Sequence, residues 1–145
     1  MVRIFKQLHG SINMEVFYCR KTYNEISALL FPVLAAIDGF GLGGGLKMVM
    51  AWDIPIACNL SLYLSYLNKN LSAPQSKLGL VESKLAIIPG SGGTQRLPGI
   101  VGLAKAEELI FTGKVLKGRE ALSIVLINQL VENSVDKAFE IACHF

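Results

Sequence analysis

Between Ala35 and Ile54 an apolar run breaks into Asp38-Gly39-Phe40-Gly41-Leu42-Gly43-Gly44-Gly45 and restarts as Leu46-Lys47-Met48-Val49-Met50-Ala51-Trp52. No other stretch constrains the fold so tightly, because glycines are costly inside a helix or strand and useful in the turn that joins them. The segment reads as a short buried strand over residues 33–37, a bare turn, and a helix over residues 44–52. The first N–H groups of such a helix lack partners within it, and glycines let a ligand approach them, so the turn suits a developing negative charge.

Two phosphate-binding motifs compete for this turn, since Gly39, Gly41 and Gly44 spell G-x-G-x-x-G and a lysine follows. A P-loop requires Lys directly after the last Gly and then Ser or Thr, whereas Leu46 separates Gly45 from Lys47 and Met48 follows. A dinucleotide fold places an acid about twenty positions further on. Asn59, Leu60 and Ser61 stand there instead.

The rest of the chain alternates helical and strand patterns. Val16, Cys19, Tyr23, Ile26 and Leu30 recur at three- and four-residue steps, predicting a helix over residues 15–30 whose stripe enters the core. Residues 54–58 predict a strand with Pro55 at its entrance, and Lys77-Leu78-Gly79 a further one. Gly93-Thr94 opens a short helix that Pro98 closes. Leu103, Ala106, Leu109 and Ile110 share one face of a helix ending at Gly113, as a C-terminal cap would. Residues 115–121 lead into another helix, residues 127–131 form a strand, and residues 136–144 a last helix. Within residues 59–71, alternation fits a strand while Leu64, Leu67 and Leu71 fit a helix.

Composition narrows the function. Apolar residues make up 52% and charged residues 17%, against about 45–50% and about 25% in ordinary domains. The longest apolar run, Ala28 to Ile37, contains Pro32 and is half of the roughly 20 residues a membrane span needs, so the excess points to protein interfaces. A net charge of +3 with mixed signs argues against nucleic acid and membrane partners. The densest basic group, Lys114, Lys117 and Arg119, reads as a solvated helix start. Cys19, Cys58 and Cys143 are odd in number and form no C-x-x-C, which implies a reducing compartment, buried free thiols and no zinc. His9 and His144 lie near opposite ends of the chain and read as surface residues. Residues 1–12 carry Arg3 and Lys6 without an acid, yet lack the length and enrichment of a transit peptide.

A second segment, Lys77-Leu78-Gly79-Leu80-Val81-Glu82-Ser83-Lys84-Leu85-Ala86-Ile87-Ile88-Pro89-Gly90-Ser91-Gly92-Gly93-Thr94-Gln95-Arg96-Leu97-Pro98, resembles the signature of the enoyl-CoA hydratase/isomerase (crotonase) family. Together with Ala35 to Gly45 it extends the resemblance over most of the chain from about Glu15, although only about half of a typical member is matched. The resemblance implies an α/β fold, a partial crotonase-like spiral of repeated strand-strand-helix units, forming one domain over residues 1–145. Residues 59–71 would then be an atypical insertion, since the family joins these strands by a shorter link. It also implies that a glycine usually stands at position 125; if that position needs positive φ, a β-branched Val125 is strained there.

Family members act on acyl-CoA thioesters, here implying hydration of 2-enoyl-CoA of the methylglutaconyl-CoA type. Coenzyme A belongs to the substrate, and no cofactor or metal is expected. The resemblance places one oxyanion donor at Gly44, with Gly45 and Gly90 at the substrate, and assigns the second donor to an upstream segment without counterpart in this sequence. Of the two glutamates that handle water and protons in hydratases, one falls on Glu82 and the other on Lys47. An ammonium cannot accept a proton, and pairing with Lys47 would weaken Glu82 as a base. Activity is therefore expected to be impaired. Two alternatives stand beside hydration: an isomerase using one glutamate, and a noncatalytic truncated relative serving as an interaction subunit. A mitochondrial location and a homo-oligomer, or a hetero-oligomer with a full-length relative, are implied as well.

Overall fold

Ala35 and Ile37 are buried while Ala36 between them is exposed, so β1 (Leu34–Ile37) has the two-residue period of a strand with one face in the core. The computed structural model describes residues 12–58 and 76–145, with side chains from Tyr18 onward. β1 pairs in parallel with β3 (Ile54–Cys58), Leu34 opposite Ile54, and β6 (Gln129–Val131) joins the other side of β3 with Gln129 opposite Ile56. As the central parallel strand, β3 is covered on both faces, and Ile56, Ala57 and Cys58 are all buried. Pro55 stands within the register, opposite Ala35, and its carbonyl accepts the Asn128 N–H at 2.8 Å.

The second sheet is built from β2 (Phe40–Leu42), β4 (Lys77–Gly79) and β5 (Leu116–Lys117), with β2 parallel and β5 antiparallel to β4. Only Asp38 and Gly39 separate β1 from β2, so the chain changes sheets there. The same change occurs between β3 and β4, where the Ser76 hydroxyl lies 3.0 Å from the Ile37 carbonyl oxygen and 2.9 Å from that of Cys58. Helices follow each strand pair: α2 (Gly44–Val49) after β2, then a 3-10 turn (Glu82–Leu85), α3 (Gly93–Val101) and α4 (Leu103–Thr112) after β4. This is the expected α/β spiral of strand-strand-helix units. It continues through β5, α5 (Gly118–Ser123), β6 and α6 (Ser134–Ala142). The core gathers between the sheets and these helices, with Leu46, Leu78, Leu80, Leu97, Leu126 and Ile127 almost wholly buried.

Several expectations need correction. The first helix, α1 (Ile12–Ser27), forms, but its stripe is not core: Cys19 and Leu30 are exposed, Tyr23 and Ile26 half-buried. Polar contacts hold it instead, as the next subsection describes. The turn between β1 and α2 is not bare, because β2 finds backbone partners along β4. α2 ends at Val49, short of Trp52. Pro98 does not close α3, which runs on to Val101. Pro98 leaves the Thr94 carbonyl without its helical N–H partner, but Thr94 is exposed and water can serve it, while Leu97 and Val101 keep the helix on the core. Ile127 precedes β6 and is nonetheless buried. Of the three thiols only Cys58 is buried, Cys19 and Cys143 being exposed. Residues 59–71 and His9 lie outside the described residues.

Gly113 caps α4 with φ 57°, as expected. Val125 adopts φ 62°, the left-handed conformation that favours glycine. Its N–H bonds the Leu122 carbonyl, and the next N–H, of Leu126, returns to Ala121 at 2.9 Å, so the strained residue ends α5. That turn drives Leu126 and Ile127 into the core, which offsets the strain.

Candidate active site

Gly43 precedes α2 with φ 52° and ψ −114°, a backbone conformation suited to glycine, and its N–H donates to the Gly79 carbonyl at 2.8 Å. The turn is thereby fixed to the end of β4. Gly44 and Gly45 follow as the first two residues of α2, so their N–H groups have no acceptor inside the helix. Gly44 is exposed, and its N–H is available to a carbonyl oxygen from outside.

Glu82 follows the end of β4 by three residues and opens the 3-10 turn. Parallel pairing of β2 and β4 sets it beside the glycines: a Cβ added at Gly43 would lie 3.5 Å from Glu82 Oε1. Lys47 stands one turn after Gly44 on the same side of α2. Its Nζ is 2.8 Å from Glu82 Oε1, with only 12% and 10% of the two side chains exposed. Glu82 Oε2 is buried and has no hydrogen-bond partner among the described residues. A buried carboxylate with one oxygen on a cation and the other unsatisfied is an acceptor waiting for a donor.

The loop before α3 walls the site. A Cβ at Gly93 would come within 3.2 Å of Lys47 Cγ and Cδ and 3.3 Å of Pro89 Cβ, so glycine there leaves room for the lysine stem. The Gly90 carbonyl accepts the Gly93 N–H at 3.0 Å, which puts Gly90 in the wall behind that stem. Ser91 takes φ 52°, a strained value that the Arg96 guanidinium helps to hold by donating to the Ser91 carbonyl at 2.9 Å.

The structure thus brings Gly44, Lys47 and Glu82 together, keeps Gly45 beside Gly44, and sets Gly90 behind Lys47. Sequence reasoning missed a second tier. Arg96 also donates to Asn24 Oδ1 at 2.7 Å and lies 5.9 Å from the Tyr23 ring centroid. The Tyr23 hydroxyl donates to the Gly44 carbonyl at 3.3 Å, and Ser27 Oγ lies 3.1 Å from the Ala51 carbonyl oxygen. α1 is therefore latched along α2 through hydroxyl groups four residues apart, a spacing visible in the sequence. Burial raises the Tyr23 phenol above its usual pKa, Cys19 adding to the rise and the Arg96 charge opposing it. The described residues hold no cluster of His, Cys, Asp and Glu fit for a metal ion.

Comparison with known proteins bears directly on this geometry. The sequence matches the family profile described as Enoyl-CoA hydratase/isomerase over residues 14–144. It is 44% identical to the mitochondrial methylglutaconyl-CoA hydratase of Rattus norvegicus, over 96% of this chain and 42% of that protein. Mitochondrial enoyl-CoA hydratase domain-containing protein 2 of Homo sapiens is 42% identical over 77% of this chain and 33% of its own length. Among solved structures, the enoyl-CoA hydratase of Bacillus anthracis superposes with a TM-score of 0.79 at 38% identity, covering 92% of this chain and 47% of that one. DspI of Pseudomonas aeruginosa gives a TM-score of 0.82 at 25% identity, over 96% and 48% respectively. The chain therefore spans less than half the length of these relatives. With the glycine turn, the carboxylate and the spiral in place, the chain belongs to the enoyl-CoA hydratase/isomerase family.

Proposed function

We propose that this chain carries a site for 2-enoyl-CoA thioesters, of the methylglutaconyl-CoA type, at which hydration is slowed by Lys47. The Gly44 N–H would draw charge onto the thioester carbonyl oxygen, in the manner of an oxyanion donor. Glu82 would accept a proton from water through Oε2, which has no partner among the described residues, and return one to the α-carbon. The observation that carries the reading is the buried Lys47–Glu82 contact beside Gly44, 2.8 Å long. A cation stands at the second proton-handling position, where the resemblance leads one to expect a carboxylate. Losing general acid–base assistance costs about 10² to 10⁴ in rate. The names of the mitochondrial relatives support the acyl class and a mitochondrial setting for this chain.

The test is a hydration assay of the full chain with crotonyl-CoA and methylglutaconyl-CoA. Turnover should fall at least about 100-fold below the enzyme median of about 10 per second. A rate near that median would show that Lys47 does not obstruct catalysis. A single carboxylate also favours a second reading, double-bond migration, which conversion of a 3-enoyl-CoA in the same assay would reveal.

A further inference from the structure

Lys47 stands where the resemblance puts one of the two glutamates that would hold the attacking water. The Lys47 nitrogen lies at hydrogen-bond distance from Glu82 Oε1, and the lysine stem runs past Gly93 and Pro89. Gly44, an exposed residue whose N–H has no acceptor inside the helix, is one helical turn away. Water and a neutral primary amine attack the same atom of an enoyl thioester, the electron-poor β-carbon, and the amine is the stronger nucleophile. Holding such a nucleophile against its target is worth effective molarities of about 10⁵ M or more when the geometry is right. The partner needed to take up its proton is already in contact.

We propose that Lys47 is a site of covalent modification by enoyl-CoA thioesters, its amine adding to the β-carbon in place of water. The proposal rests on the reading that such a thioester enters this site. The Lys47 ammonium passes one proton to Glu82, and the freed amine forms the bond from Nζ to the β-carbon. The electron pair of the carbon–carbon double bond moves onto the carbonyl oxygen, where the Gly44 N–H receives the enolate. Glu82 then delivers its proton to the α-carbon. The thioester is restored as a saturated β-amino acyl-CoA, Nζ becomes a secondary ammonium, and Glu82 is again a carboxylate beside it. Nothing is oxidised and no bond to sulfur breaks, so coenzyme A stays on the protein. The site is consumed by one turnover.

Incubation of the full chain with crotonyl-CoA, followed by intact-mass measurement and peptide mapping, tests this. One adduct with the mass of the whole thioester should map to Lys47, at no more than one per chain. Lys47→Arg keeps a cation against Glu82 and should lower adduct formation at least 50-fold. Lys47→Gln, checked for an intact thermal transition, should do the same. Saturated butyryl-CoA should bind, measured by equilibrium dialysis, and leave the mass unchanged. Butyryl-CoA binding without any crotonyl-CoA adduct would overturn the proposal while leaving the site reading intact. So would an adduct that survives Lys47→Arg, one that maps to Cys19, Cys143 or the exposed lysines, or one carrying the acyl group without coenzyme A. Failure of butyryl-CoA to bind would overturn the site reading and the proposal together.

Discussion

Replacing Lys47 by methionine strands the Glu82 carboxylate in a setting where neither oxygen has a partner among the described residues. Breaking a buried pair in this way costs about 3–5 kcal/mol, and chemical denaturation of Lys47→Met should read a loss of that size. The double variant Lys47→Met, Glu82→Leu should recover most of it, because an apolar pair of similar volume carries no desolvation penalty. Tyr23→Phe is predicted to cost about 1 kcal/mol, the ordinary worth of one hydrogen bond. Its pH dependence is more telling. The folded pKa of Tyr23 lies above its unfolded value, so its contribution is complete below the ordinary tyrosine range and is lost as pH rises through the raised value. Unfolding curves across alkaline pH should show that limb in the native sequence and a weaker one in Tyr23→Phe. Lys47 and Glu82 were legible because two motifs name their positions. Tyr23 was not, because three- and four-residue periodicity identifies a helix face without saying whether its partner is apolar side chain or backbone carbonyl.

At the scale of elements, Val125 is the clearest liability. A β-branched residue at φ 62° carries left-handed strain of about 1–2 kcal/mol, against an entropic penalty for glycine of about half that. Val125→Gly should therefore stabilise the protein by about 1 kcal/mol or slightly less, visible as a rise in Tm. Val125 is 68% exposed, so little packing is lost with its side chain. A fall in Tm would mean that the valine makes a contact worth more than its strain. The longer elements were largely legible, since β1, β3 and the helices follow apolar runs and their punctuation. β2 was hidden: three residues among glycines have no strand signature, and only β4, far along the chain, gives them partners. α3 outran its proline because burial of Leu97 and Val101 outweighed one lost backbone bond, a balance no local rule contains.

For the whole molecule, the apolar surplus in the sequence reappears as surface. Leu30, Phe31, Leu85, Ile88, Phe111 and Phe139 are each at least 63% exposed, and a net charge of +3 offers little repulsion. Self-association is the expected outcome. Light scattering coupled to sizing should give a mass that grows with protein concentration, and a monodisperse monomer over a wide range would refute it. Composition had signalled this excess, but which faces carry it depended on the fold.

Ser76 holds a different kind of consequence. Its N–H meets the Cys58 carbonyl at 3.3 Å and its hydroxyl reaches the same oxygen at 2.9 Å, so the chain departs from Cys58 and returns at Ser76 to one anchored corner. Ser76 is therefore a rivet: one buried hydroxyl ties the ends of β1 and β3 to the start of β4, so a single side chain joins the two sheets at their shared corner.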